Sequence, residues 1–483
     1  MSTKTVKTAM GSCRLGAARC DITPPVGIYH RMWGAAVVDR ATGVHRPLTA
    51  SVLAIEPLDA TNCETSAERF ALIALDHCLF RPPEMDELLD ATSKLTGLDR
   101  ERIIFAFSHT HSAGLLVRDR KDFPGGDLIG PYLDALPEKI ATCYRQADET
   151  IEPVDITAGS APCDMGHHRD YWDDELQAYV CGFNPEKKFE LDVQVMRVTR
   201  QNGEPVCTLM SYPCHPTTLA WQNSLISTDY VGAAREVVER ETGVPCVFLL
   251  GPCGDIGPRV GYVGETEIAD RNGRQVGHAA LSALLALPPP NTEFVYTGAV
   301  ISGATIGTWG FAEVSPARRE ALKTFEFRPI DVELPLRHDM PTLSQAEADS
   351  KKLLAAEPAD RDSIAFRDWR AQVERQRRLI ERVRPLGETG KLAVPLWACR
   401  IGDVGLIAIN GEPYYEIYEE LKRRHPGQAL WLTVVANGAI ACYLPHVEDY
   451  GKSLYQVDIA VLERGSLEQL TDDISSIVAE WRE

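Results

Sequence analysis

The stretch Ile103-Ile104-Phe105-Ala106-Phe107-Ser108-His109-Thr110-His111-Ser112 sets five apolar residues in a row ahead of an H-x-H segment. A short run of β-branched and aromatic residues, closed by small polar ones, reads as a buried β-strand. Side chains alternate along a strand, so continuing it predicts His109 and His111 on one side, with imidazoles able to share a site. On a helix they would diverge by about 200°. Strand ends in α/β sheets are also where ligands usually bind. The pair reads either as two polar residues capping a strand or as part of a metal site.

Working outward, similar runs recur at Val52–Ile55, Phe70–Leu75, Leu191–Val198, Val206–Tyr212, Cys246–Leu250, Phe294–Ile301, Ile330–Leu334, Leu392–Arg400, Val404–Ile409 and Trp431–Val435. Between some of them, Asp86–Thr96, Pro131–Ala147, Val231–Glu241 and Asp270–Leu287 carry apolar residues at three- and four-residue spacing, the mark of amphipathic helices. The mixture predicts a mixed α/β (α+β) fold, organised as one large domain over residues 1–483. Residues 344–383 break the pattern, being rich in Ala, Glu, Asp, Arg and Lys. They read as two long solvated helices parted near Pro358, an insertion serving as a lid or as an arm for homo-oligomers.

Composition narrows the function. The chain of 483 residues has 50 Lys+Arg against 69 Asp+Glu, a formal net charge of −19. Phosphate backbones are held by concentrated positive charge, and no basic run supplies it, so nucleic acid is excluded as a general partner. Stable attachment to anionic membranes is disfavoured for the same reason. Thirteen cysteines, an odd number without a C-x-x-C pair, read as reduced thiols. With no apolar core for a signal peptide and no run of about 18 apolar residues, the expectation is a cytoplasmic protein.

Other segments end in residues able to bind a metal. Leu209–Pro216 contains His215, Val404–Glu412 ends in Glu412, and Trp431–Val435 is followed by Asn437 and Tyr443. Each such residue could equally be a hydrogen-bonded structural group. Asp76, Asp229 and Asp255 lie at element boundaries nearby, as carboxylates orienting a histidine or as helix caps.

Taken together, S-H-T-H-S, C-H-P-T-T from Cys214, G-D-I-G-P from Gly254, N-G-E from Asn410, A-N-G from Ala436, then Y-L-P and E-D-Y, resemble the neutral ceramidase family. Asp21-Ile22-Thr23-Pro24-Pro25 and Gly43-Val44-His45 extend the likeness, which runs from about residue 14 to about residue 460. The resemblance implies that family's catalytic-domain fold and one zinc ion (Zn2+) held by His109, His215, Glu412 and Tyr443. The spacing of seven between Tyr443 and Tyr450 supports the choice of Tyr443. The resemblance further implies Arg169, in His167-His168-Arg169, as the active-site arginine; His111, on the same face as His109, would be the proton shuttle beside the metal, and Arg169 or Tyr443 would stabilise an oxyanion. His111, Arg169 and Tyr443 are thus the catalytic candidates.

One departure matters. The ceramidases carry a serine in G-D-V-S-P, whereas this chain has Gly257 there. A serine nucleophile at that place is excluded, and zinc-activated water remains. The chain runs 33 residues beyond Tyr450, so the expectation is a relative without the C-terminal β-sandwich domain. The resulting reading is a zinc-dependent amidohydrolase cleaving an amide, lactam or related acyl bond of a small soluble substrate. The alternatives are a zinc-dependent lyase or isomerase acting on a sugar-like or hydroxy acid, and a non-catalytic binding protein.

Overall fold

The structure, a computed structural model, describes residues 4–59, 68–360, 363–387 and 389–481. Met1 to Thr3, where the N-terminal reading begins, and Cys63 lie outside them. Eight strands form the main sheet: β1 (Ala9–Asp21), β2 (Thr49–Glu56), β3 (Phe70–Leu75), β4 (Ile103–Phe107), β5 (Glu152–Pro162), β6 (Asp192–Arg200), β7 (Pro205–Tyr212) and β8 (Cys246–Leu250). Their order is β8-β7-β6-β5-β1-β2-β3-β4. The outermost pairs, β7/β8 and β3/β4, are parallel, and the pairs between them are antiparallel. A second sheet runs β9 (Phe325–Pro335), β10 (Lys391–Ile401), β11 (Val404–Ile409), β12 (Ala429–Thr433), its last pair parallel.

Helices α1 (Glu84–Thr96), α2 (Ile129–Glu149), α3 (Tyr230–Thr242) and α4 (Thr266–Ala286) cover one face of the main sheet. Phe105 and Phe107 of β4 point into that layer with Leu88, Leu136 and Val276. The alternate residues Ile104 and Ala106 face the second sheet, where Trp397, Leu406 and Trp431 meet Leu53, Leu72 and Leu209. Trp431 is 2% exposed, the kind of site where truncation to Ala costs about 3–5 kcal/mol. Beyond the second sheet lie α5 (Glu416–Arg424) and α6 (Ser466–Glu480). The mixed α/β reading therefore resolves into four layers: helices, sheet, sheet, helices.

Two central strands, β1 and β5, escaped the sequence pattern. β1 reads A-M-G-S-C-R-L-G-A-A-R-C-D, poor in large apolar residues because its neighbours press close. A Cβ on Gly11 would come within 2.4 Å of the Ile401 carbonyl oxygen, and one on Gly16 within 1.9 Å of that of Ala147. Among the described residues, no helix is long and apolar enough to cross a membrane.

The segment 344–383 contains two helices, Leu343–Ala355 and Ile364–Val383, with Pro358 between them. Thr342 closes the first with a capping box and Ser363 caps the second. The second helix is not a solvated rod. Arg370 bonds Asp39 at 3.0 Å, Arg378 donates to the Met32 carbonyl, and Glu374 and Glu381 hold the fully buried Arg120 at 3.1 and 2.8 Å. A four-residue spacing of charges, read as a wet face, here makes an ionic seam against the chain's own loops.

Candidate metal centre

β4 ends at Phe107, and His109 turns away from strand geometry with a φ of +65°. The expected strand alternation therefore does not bring the two histidines together; a left-handed backbone at His109 itself does. Their rings lie 5.0 Å apart, with Nε2 atoms separated by 3.5 Å. The turn is fixed by backbone bonds from Ser108 N–H to Leu75 and from His109 N–H to His77, both 2.9 Å.

His215 follows β7, and its ring centroid lies 4.9 Å from that of His109. Glu412, past the end of β11, pairs with Tyr443 in a two-residue parallel ladder. The carboxylate Oε2 of Glu412 stands 3.4 Å from His109 Nε2 and 3.3 Å from His215 Nε2. Donor atoms of His109, His215 and Glu412 all lie within 4.8 Å of one another. Tyr443 Oη approaches His215 Nε2 at 3.2 Å. Strands of both sheets thus deliver His109, His215 and Glu412, each more than a hundred positions from the next, to one point.

The chemistry of the donors suits a cation. His109 Nδ1 bonds the Cys78 carbonyl at 2.7 Å and His215 Nδ1 that of Cys253 at 2.6 Å. A carbonyl oxygen only accepts, so each Nδ1 carries hydrogen and each Nε2 turns a lone pair inward. Glu412 Oε2 is buried without a hydrogen-bond donor. Three electron-pair donors converge on one buried point, a composition able to hold a metal ion. Electrostatics agree in direction. Burial favours a neutral Glu412, yet His109 and His215 hold its pKa well below the carboxylate range. Burial and then Arg169 push His215 down to about 3. His109 is driven the other way: burial opposes its charge, but Cys78 and Glu412 outweigh it. His111 is pushed well down by burial and by its two histidine neighbours, which keeps its imidazole neutral.

The groups that orient His109 and His215 are thus the backbone carbonyls of Cys78 and Cys253, and of the two readings offered for the aspartates the histidine-orienting one does not hold for these two rings. Asp76 is held by both Arg235 Nη atoms, at 3.2 and 2.7 Å, and accepts from Thr49. Asp229 caps α3, and Asp255 accepts from the Tyr415 N–H at 2.8 Å. Asn410 and Asn437 are structural: Asn437 accepts from Phe105 N–H and donates to the Ile103 carbonyl, clamping the segment to β4.

Arg169 is 3% exposed. Its guanidinium donates to the Gly254 carbonyl at 2.6 Å and stacks 5.4 Å from the Tyr443 ring centroid, without a carboxylate partner among the described residues. Gly257 lies alongside; a Cβ there would sit 3.5 Å from Arg169 Cβ and 3.6 Å from Tyr262 Oη. Of the cluster only His111 is partly exposed. Trp33 packs on it at 5.3 Å and touches Trp221 and Tyr262, framing an aromatic rim. Sequence reasoning missed this rim and Cys78. Asp76-His77-Cys78 does end a strand in the same manner as the other segments, a signal that was legible.

No family model matches the chain. It is 21% identical over 266 residues to the neutral ceramidase of Pseudomonas aeruginosa, an alignment that covers 51% of this chain and 37% of that enzyme. The crystal structure of the P. aeruginosa neutral ceramidase superposes with a TM-score of 0.64 at 16% identity, covering 98% of this chain and 75% of the other. A ceramidase complexed with C2 gives 0.63 at 16% identity, with 98% and 76% covered. The chain is similar in sequence to a neutral ceramidase and has the fold that this enzyme shows over three-quarters of its length.

Proposed function

We propose that the protein is a zinc-dependent hydrolase of an amide bond. The observation that carries the reading is the convergence of His109 Nε2, His215 Nε2 and Glu412 Oε2 on one buried point. These three would hold the metal, with Tyr443 beside His215 as a fourth group. When bound, zinc supplies Lewis acidity toward a carbonyl oxygen and makes water nucleophilic near neutral pH.

The chain's own residues supply the rest. Neutral His111, at the exposed edge of the cluster, accepts a proton from the attacking water and returns it to the leaving nitrogen. Arg169 is kept cationic: burial opposes its charge, but Cys181, Tyr443 and Tyr262 around it raise its pKa well above the usual value. It is placed to stabilise the oxyanion formed as the carbonyl is attacked. The Trp33, Trp221 and Tyr262 rim binds the apolar part of the acyl group and limits water. Gly257 offers no hydroxyl, so no serine competes as nucleophile at that place.

The similar P. aeruginosa protein is a ceramidase, and ceramide joins N-acyl, lactam and cyclic-imide compounds in the panel that tests the reading. Purified protein is expected to contain close to one zinc per chain and to split at least one amide with addition of water. Zinc well below that ratio, or full activity in His109→Ala, would overturn the proposal.

A further inference from the structure

Three arginines at or near the candidate metal centre make no ion pair with a carboxylate among the described residues. Arg169 is the first. Arg81, half-buried, spends one Nη on the Cys442 sulfur at 3.6 Å and feels the charges of Glu381 and, less, Glu412, with neither at ion-pair distance. Arg382, at the end of the helix Ile364–Val383, is 8% exposed, and its Nε has no hydrogen-bond acceptor. It lies within electrostatic reach of Cys442, Arg81, Tyr455 and Arg378. Cys442 precedes Tyr443 in the chain, and the Tyr455 ring lies 6.1 Å from that of Tyr443. Arg81 therefore borders the Tyr443 side of the centre, and Arg382 stands within electrostatic reach of Arg81, Cys442 and Tyr455.

The nearby acids are already engaged. Glu381 bonds Arg120 at 2.8 Å, and Glu374 bonds both Arg120 and Arg378. A buried cation beside other cations is costly unless an anion completes it. Burial, with Arg81 and Arg378 nearby, lowers the Arg382 pKa below the ordinary guanidinium value. Guanidiniums present forked donors that match carboxylate and phosphate oxygens.

We propose that Arg81 and Arg382 form a subsite for an anionic group, a carboxylate or phosphate, carried by the amide substrate. The inference rests on the amide-hydrolase reading, since it names the substrate class of the same centre. It assigns the helix Ile364–Val383 a purpose: it delivers the arginine that selects substrates bearing a negative charge. Arg169 serves the reacting carbonyl, and the Arg81–Arg382 pair serves the far end of the molecule.

The test uses three probes sharing one acyl chain: an N-acylglycine, its neutral N-acylglycinamide and an N-acyl aminoethyl phosphate. Binding to the zinc-loaded protein is measured by calorimetry and turnover by product mass, in wild type, Arg81→Gln, Arg382→Gln and Arg382→Lys. Wild type should bind at least one anionic probe about tenfold or more tightly than the neutral one, the scale of a charge-assisted hydrogen bond. Arg382→Gln and Arg81→Gln should erase that preference and leave the neutral probe's affinity unchanged, and Arg382→Lys should restore part of it. Without ligand, Arg382→Gln should melt no lower than wild type, because an unpaired buried charge is removed. The two anionic probes tell carboxylate from phosphate. Equal weakening of charged and neutral probes in Arg382→Gln, or no anionic preference in wild type, would overturn the subsite. If no probe is hydrolysed while the preference and its loss persist, the hydrolase reading fails and the subsite stands.

Discussion

At His109 the chain accepts a left-handed backbone, φ +65°, that a residue with a Cβ adopts at a cost of about 1 kcal/mol or more. The return is an Nδ1–H aimed at the Cys78 carbonyl and an Nε2 aimed at Glu412. The H-x-H spacing announced that two imidazoles meet, but for a reason the backbone does not follow, since no sequence signal reveals a positive φ at histidine. Gly257 gives a prediction at this scale. Its missing Cβ would make only ordinary contacts with Arg169 and Tyr262, so Gly257→Ser should unfold within about 0.5 kcal/mol of wild type. If the nucleophile is water, the added hydroxyl should change kcat/KM by less than about tenfold, whereas His109→Ala should lose about a hundredfold or more. Melting curves and steady-state kinetics on both variants decide it. A large gain of activity in Gly257→Ser would point to a hydroxyl-dependent step.

Elements were legible where their side chains carry the burial. β3, β4, β8 and β11 begin and end at the residues where their apolar runs do. β1 was hidden because backbone contact, not side-chain bulk, fills the space around Gly11 and Gly16. The helix Ile364–Val383 was visible as a helix, but its charges read as solvated because sequence does not show which loops lie beneath. Asp76 joins elements in a measurable way: at the end of β3, it clamps Arg235 of α3. Burial would raise its pKa, but Arg235 and the Thr49 bonds outweigh that and lower it. A carboxylate with its folded pKa below the unfolded value contributes stability above about pH 3.9, lost as pH falls through the folded pKa. Asp76→Asn should therefore cost about 3–5 kcal/mol at neutral pH, by leaving Arg235 buried and unpaired. The difference from wild type should shrink as acid unfolding sets in. Urea titrations from pH 7 to pH 3 measure both, and a constant difference across that range would show that charge is not the cause.

Across the whole molecule, the candidate metal centre sits where the two sheets meet. His109 and His215 extend from β4 and β7 of the main sheet, and Glu412 follows β11 of the second. Which strand ends meet could not be read from sequence, because the order β8-β7-β6-β5-β1-β2-β3-β4 is set by pairings between distant segments. The residue types that gather there could be read, because two imidazoles and a carboxylate at strand ends are chemistry rather than topology. A cation bound there would cross-link the layers, and one that binds only the folded state stabilises by RT ln(1 + [L]/Kd), about 4 kcal/mol at a thousandfold excess over Kd. Without it, a buried carboxylate must be neutralised by a proton on His109, a poorer match to three converging donors. Chelation should therefore lower the melting midpoint, and added zinc should restore it in a concentration-dependent way. Hydrogen exchange should quicken first at Ser108–His111 and Gly411–Pro413, where the cross-link ends. In His109→Ala the midpoint should no longer follow zinc, even if the variant folds well. A wild-type midpoint indifferent to zinc, or an equal response in His109→Ala, would remove the metal from the account of both stability and catalysis.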